Sequence, residues 1–294
     1  MAKVRRSARS TVAESRWLVA PALLFIAVFF LAPLGFMVAF SFGINEGFFT
    51  VAFGLHDDQY QRLLDPVYLR IYRDTLVLAA VGTAICLLVG YPFAYFLATR
   101  AGRWRALLFV LVIIPFWTSL LIRTYSWVLI LNEQGPLSRS LQRLGVIDGP
   151  LDVLYTHTAV LIGVVYDYLP LMVFPLYVAI ERMDRSLTEA SRDLGAGRWT
   201  TFRRVTLPLT IPGIMTGSLL TFIPMMGEYV VPTILGGAKT FLVGSLISNE
   251  ILTAIDWPFG AAVSMGLIVV MLVLIAAYLR VVGRRAEKGL GSAL

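Results

Sequence analysis

The chain has 294 residues, of which 58% are hydrophobic, a mean hydropathy of +0.78 and a formal net charge of +7. A soluble domain is nearer half apolar, so this composition excludes one and places the chain in a bilayer. One cysteine, Cys86, lies in an apolar run, which leaves no disulfide framework or thiolate metal cluster within the chain.

A helix needs about twenty apolar residues to cross roughly 30 Å of hydrocarbon. Six such runs occur, at 18–42, 75–97, 106–131, 159–180, 211–235 and 261–282. They predict an all-α polytopic membrane protein with six transmembrane helices over 18–282, a basic arm over 1–17 drawn to anionic lipid, and a short tail over 283–294. The first run lacks small residues in an A-x-A pattern where a signal peptide would be cleaved, so it is read as a retained helix.

After the first span, 43–74 reads as an external segment in which QRLLDPVYLRIYRDT forms a helix along the membrane surface. The loop 100–105 is short and makes spans two and three antiparallel neighbours. Span three contains Pro115, Trp117, Arg123, Tyr125 and Trp127. A charge such as Arg123 costs roughly 2.5 to 3.5 kcal/mol at membrane depth, so it must face an interior or an opposite charge, or snorkel to the interface. In 132–158, GPLSRSLQRLGVIDGP predicts a short external amphipathic helix ended by Gly145. Span four carries Asp167 between Tyr166 and Tyr168, with Pro170 and Pro175. Span five is the most interrupted, with Pro212, Gly213, Gly217, Pro224, Gly227 and Pro232, and holds Glu228 beside Tyr229. Irregular backbone survives at depth only where protein or water satisfies it, which predicts that spans four and five line an internal cavity. Span six is smoothly apolar and suits the bundle edge.

The polar connection 183–208 differs from the others. Ser186 and Glu189 have capping-box spacing, which predicts a helix starting at Ser186, and Gly195 ends it. Leu187, Ala190 and Leu194 recur at helical spacing and form a narrow apolar stripe. Pro208 is expected to stop a second short helix, leaving two helices around a bare glycine elbow.

Positive charge accumulates on alternate connections. Eighteen of the 25 Lys and Arg lie on the N-terminal arm, on 100–105, between spans four and five, and from Arg280 at the end of span six onward. The positive-inside rule then puts both termini and 183–208 in the cytoplasm, and the charge needs no nucleic acid to explain it.

No catalytic set stands out. The fragment Gly236, Gly237, Ala238, Lys239, Thr240 departs from a phosphate-binding loop and lies outside, while His56 and His157 have no metal-ligand spacing. Catalytic and metal residues are therefore read as none. The remaining candidates are the carboxylates of Asp167 and Glu228, which with the faces of Tyr166, Tyr168 and Tyr229 suit a cation leaving water. The competing reading pairs Asp167 with Arg123, or has either acid holding helices together by hydrogen bonds.

Glu189, Ala190, Ser191, three residues, Gly195, nine residues, Val205, one residue, Leu207, Pro208 resembles the EAA motif of permease subunits in bacterial ABC importers. Ser191 and Val205 stand where that motif usually has alanine and isoleucine. The segments IIPFWTSLLIRTYSW, MMGEYVVPTILGGAK and DWPFGAA extend the resemblance to spermidine/putrescine importer permeases, over most of the chain from Tyr60 onward. The resemblance implies a type I ABC importer permease fold with cytoplasmic coupling helices, a five-helix core and a peripheral first helix, in the bacterial inner membrane. It implies a second homologous permease, two cytoplasmic ATPase subunits and a periplasmic binding protein that delivers polyamine. It also implies ATPase coupling through Glu189, Ala190, Ser191, Gly195, Leu207 and Pro208. The substrate pathway is read from the polar and aromatic residues of spans three to five, namely Asp167, Glu228, Trp117, Tyr125, Trp127, Tyr166, Tyr168 and Tyr229. No cofactor is expected in this chain, ATP and Mg belonging to the partner ATPase. Relatives of similar sequence carry opines, other amines or iron. A non-transporting sensor would need a cytoplasmic output domain, for which the tail after Val282 offers twelve residues.

Overall fold

The computed structural model describes residues 21, 23–47 and 50–291, with backbone alone for 238 and 281–291. The basic arm expected over 1–17 lies outside the described residues. Two compact units make up the chain, one formed by its first 65 residues with 249–266, the other by 66–248 with the remainder.

In the first unit, helix α1 (Leu23–Ser41) is apolar on every side and turns Leu24, Phe29 and Phe30 outward. Its turn widens to a π-helix over Ala27–Leu31 before resuming at Ala32. Pro33 explains the widening, because its ring would collide with the carbonyl four residues back in a regular helix and the extra residue makes room. A two-stranded antiparallel hairpin follows, β1 (Ile44–Gly47) against β2 (Thr50–Ala52), with Ile44 opposite Ala52. Helix α2 (Asp58–Leu63) then presents Tyr60, whose hydroxyl lies 2.8 Å from that of Ser41, and Arg62, which pairs with Asp256 at 2.8 Å and lies 3.7 Å over the ring of Phe259.

The surface helix expected across 61–75 is instead two elements. Helix α2 ends at Leu63, and Pro66 opens α3 (Pro66–Thr99), a single 34-residue helix that absorbs span two and the nine residues before it. Proline has no N–H to give an upstream turn and disfavours a helical residue before it, so it ends one helix and starts the next.

The second unit is built on α3, α7 (His157–Glu181) and α10 (Leu207–Met226), which pack against one another. Met172, Val173, Leu176, Met225 and Met226 are buried between them, and the hydroxyls of Tyr91 and Thr210 meet at 2.9 Å in the interior. Cys86 is buried here and free.

Span three is not one helix, as expected, but a broken pair. Helix α4 (Arg105–Ile113) tightens to a 3₁₀ turn over Ile114–Trp117, the backbone extends at Thr118 and Ser119, and α5 (Leu120–Leu131) leaves at 98°. The Pro115 carbonyl accepts from both the Thr118 backbone N–H at 3.1 Å and the Thr118 hydroxyl at 2.7 Å, so this acceptor is satisfied locally at the break. Helix α6 (Pro136–Arg143) follows and ends as expected at Gly145, whose φ of +68° suits glycine. The connection to α10 holds α8 (Arg185–Asp193) and α9 (Arg198–Thr201). Beyond α10 come α11 (Val230–Leu235), α12 (Val243–Leu252) and α13 (Trp257–Gly291), the last two contributing to both units. Among the described residues, five helices are long and apolar enough to cross a membrane, six with the broken pair counted as one span.

Candidate functional site

Two places concentrate polar chemistry in the second unit. The first is the elbow between α7 and α10. Its first helix begins one residue before the expected start, because Asp184 and not Ser186 is the cap. The Asp184 carboxylate accepts from the Ser186 backbone N–H at 2.9 Å, and α8 opens at Arg185. That backbone bond, then the Ser186 side chain, hold the Asp184 carboxyl below the usual carboxylate range. Both residues are good cap types two positions apart, and the glutamate three after Ser186 pointed to the wrong one.

Gly195 ends α8 with φ +83°, its N–H returning to the Arg192 carbonyl at 2.8 Å. A Cβ there would meet nothing within 4 Å, so the elbow is bare on its outer side. Pro208 does not stop the second helix. The helical path runs from Arg198 to Met226, with a π-turn over Phe202–Thr206 that accommodates Pro208 in the first turn of α10. This repeats the solution found at Pro33, and it makes α9 a direct extension of a membrane span.

Ser191 on α8 and Thr201 on α9 join the two arms, their hydroxyls 3.1 Å apart. Trp199 stacks on Phe202, whose ring meets Tyr91 of α3 edge-on at 5.7 Å. Leu187, Leu194 and Trp199 are 47%, 89% and 72% exposed, so the predicted stripe is uncovered and extended by a tryptophan. Glu189, Ala190, Gly195 and Pro208 are exposed too, while Ser191 and Leu207 are half-buried. Trp199, Thr201 and Asp184 were not anticipated. Trp199 could have been found as a tryptophan on a largely polar connection between two apolar runs.

The second place lies where spans three and five break beside α7. Asp167 is buried and faces Arg123 of α5, with Arg123 Nη1 at 3.2 Å from Asp167 Oδ1. These two atoms and Arg123 Nε are buried without a hydrogen-bond partner among the described residues. The Arg123 side chain is therefore directed at Asp167 and largely buried. The next residue, Tyr168, donates its hydroxyl to Glu228 Oε2. Glu228 sits in the three-residue break between α10 and α11, and its Oε1 accepts from the backbone N–H groups of Val230 at 2.8 Å and Val231 at 3.2 Å. Glu228 thus caps α11 as well as bonding Tyr168, and its hydrogen-bonding capacity is largely used. Gly244 of α12 packs on this break so closely that a Cβ would come within 2.6 Å of the Gly227 and Glu228 carbonyls.

The aromatic residues divide. Trp127 meets Tyr166 edge-on at 5.5 Å, which places both beside the polar pair on α5 and α7. Trp117, Tyr125 and Tyr229 are exposed, at 86%, 58% and 47%, and do not converge on the two acids.

The family model described as "Binding-protein-dependent transport system inner membrane component" matches residues 90–287, more than half of the chain. The spermidine/putrescine transport system permease protein PotB of Haemophilus influenzae is 44% identical over 86% of this chain and 88% of its own. The protein of the same name from Escherichia coli K12 is 48% identical over 76% of this chain and 81% of its own. Among solved structures, a chain of a bacterial ABC transporter that imports the acidic polysaccharide alginate superposes with a TM-score of 0.73 at 17% identity, over 93% of this chain and 98% of that one. That likeness shows a shared fold.

Proposed function

This chain belongs to the family of binding-protein-dependent transport system inner membrane components, the multi-pass permease subunits of ABC importers, and we propose that the cargo it passes is a polyamine such as spermidine or putrescine. It is a transport component and not an enzyme, and ATP hydrolysis belongs to a separate subunit.

The observation that carries the cargo reading is the extent of likeness to the two PotB permeases across most of the chain. The chemistry of the interior agrees with it. Asp167 on the continuous α7 faces Arg123 of the broken span three, its neighbour Tyr168 bonds Glu228 in the break of span five, and two carboxylates against one arginine leave a negative excess that favours a cation. An anionic cargo would meet that excess unfavourably.

In this reading a periplasmic binding protein delivers the polyamine, a second homologous permease completes the pathway, and two ATPase subunits engage the elbow from the cytoplasm, where both termini also lie. The exposed Leu187, Leu194 and Trp199 supply apolar area for that engagement, and Glu189, Ala190, Ser191, Gly195, Leu207 and Pro208 form its frame. Since α9 continues into α10, a push on the elbow is delivered along a membrane span to the break that holds Glu228.

The test is uptake of labelled spermidine in cells whose own polyamine importers are deleted and which carry this permease with its partner subunits. Excess unlabelled putrescine should suppress the uptake, while excess opine, ferric iron or molybdate should not. Uptake suppressed by one of those and indifferent to putrescine would reassign the cargo.

A further inference from the structure

We propose that Arg123 is a tethered stand-in for the cargo: its guanidinium occupies Asp167 until an ammonium group of the substrate displaces it. The proposal rests on the polyamine reading above. It assigns to Asp167 the role of receiving carboxylate, and to Arg123 a competing cation within the chain.

The geometry separates the two acids. Glu228 holds three donors, the hydroxyl of Tyr168 and two backbone N–H groups, and its loss would uncap α11. Asp167 holds none through its Oδ1, which lies 3.2 Å from Arg123 Nη1 without a hydrogen bond. Asp167 is 3% exposed and the Arg123 side chain 11% exposed, so both charges have left water for an attraction that is not completed by directional bonds. A buried pair in this state is weak as a stabilising element, because desolvation offsets most of the Coulomb gain. It is well suited to exchange: an incoming ammonium meets a carboxylate with unused acceptor capacity, and the site never stands empty with an uncompensated buried charge.

The backbone provides for the exchange as well. Arg123 lies at the end of the first turn of α5, four residues beyond the 98° break at Thr118 and Ser119, while Asp167 is in the middle of the continuous helix α7. A small change at Thr118 and Ser119 therefore moves Arg123 without disturbing Asp167.

The experiment uses the assembled transporter with all its subunits and measures labelled putrescine and spermidine uptake together with thermal stability. D167N should reduce uptake about tenfold or more, as expected for removal of a functional intramembrane charge. R123Q/D167N, in which both charges are gone, should assemble with wild-type stability and still transport as poorly as D167N. A pair that merely locks helices predicts the opposite, so recovery of half or more of wild-type uptake in R123Q/D167N would overturn the exchange. If that variant does not assemble, R123K decides. Lysine keeps the charge on a stem that vacates the carboxylate more readily, and the KM for putrescine should fall by about twofold or more. An unchanged or higher KM would overturn the proposal. A wild-type complex that moves neither amine removes the cargo reading and the exchange with it, whereas a competent wild type matched by R123Q/D167N removes the exchange alone.

Discussion

The hydroxyl of Ser191 stands 3.1 Å from that of Thr201, and this one contact closes the elbow that α8 and α9 form around Gly195. Serine stands where the motif this stretch resembles usually has alanine, and the structure gives it a partner on the other arm. S191A and T201V should each cost about 0.5–1 kcal/mol of local stability, with the double variant no worse than either, since both remove the same bond. Hydrogen exchange of the α8 amides would register the loss, and additive costs would show that the two hydroxyls act independently.

G195D should abolish uptake while leaving membrane insertion and abundance close to wild type. The position has φ +83° and open space around an added Cβ, so the substitution meets nothing inside this chain. Aspartate is among the residues that tolerate the left-handed conformation, and G195A, which tolerates it less, serves as the control for backbone strain at about 1–2 kcal/mol. Co-purification of the ATPase subunits reads the outcome. Loss of ATPase with G195D beyond that seen with G195A places the defect at the docking surface, and full retention would remove Gly195 from it.

Glu228 allows its charge to be separated from its capping role. E228Q retains a carbonyl oxygen for the Val230 and Val231 N–H groups, so thermal stability in detergent should change by less than about 1 kcal/mol while polyamine uptake falls several-fold. E228A strands those two donors and the Tyr168 hydroxyl in the interior and should cost about 3 kcal/mol or more. Equal stability of the two variants would mean that the cap is not formed.

A pH effect is expected from Glu250 in the first unit, on α12 outside the candidate spans. Burial raises its carboxyl above the ordinary range, opposed by Arg62 and assisted by Asp256. An acid whose pKa is raised on folding is destabilising when ionised, so its penalty is present above the raised value and is relieved as pH falls through it toward 4.5. E250Q should accordingly raise the thermal midpoint at pH 7.5 by roughly 1–3 °C, with the gain vanishing near pH 4.5. A gain that grows as pH falls would reverse the sign of the argument.

Much of this architecture was legible in the chain because it follows from composition and from residues with strong backbone rules. Six apolar runs gave the spans, and Gly145 and Gly195 ended helices where expected. The failures share a cause in proline, whose effect depends on what the preceding turn can do. Pro66, read through as part of a surface helix, began a long one; Pro208, read as a stop, was carried past by a π-turn; and the chain near Pro115, read as one span, broke at Thr118 and Ser119 into a pair at 98°. The acids were identified, but not their commitments. Which of Asp167 and Glu228 is already bonded depends on the register of α7 against the two broken spans, and no local pattern encodes that register.

The central claim is that a motor acting on the elbow drives a cationic cargo through the broken spans, and reconstitution tests it most directly. The complete transporter, in vesicles loaded with ATP on one side only, should accumulate labelled spermidine when ATP is on the face that exposes Gly195 to a membrane-impermeant thiol reagent after G195C substitution. Accumulation that requires ATP on the opposite face, or that proceeds without ATP, would contradict the account.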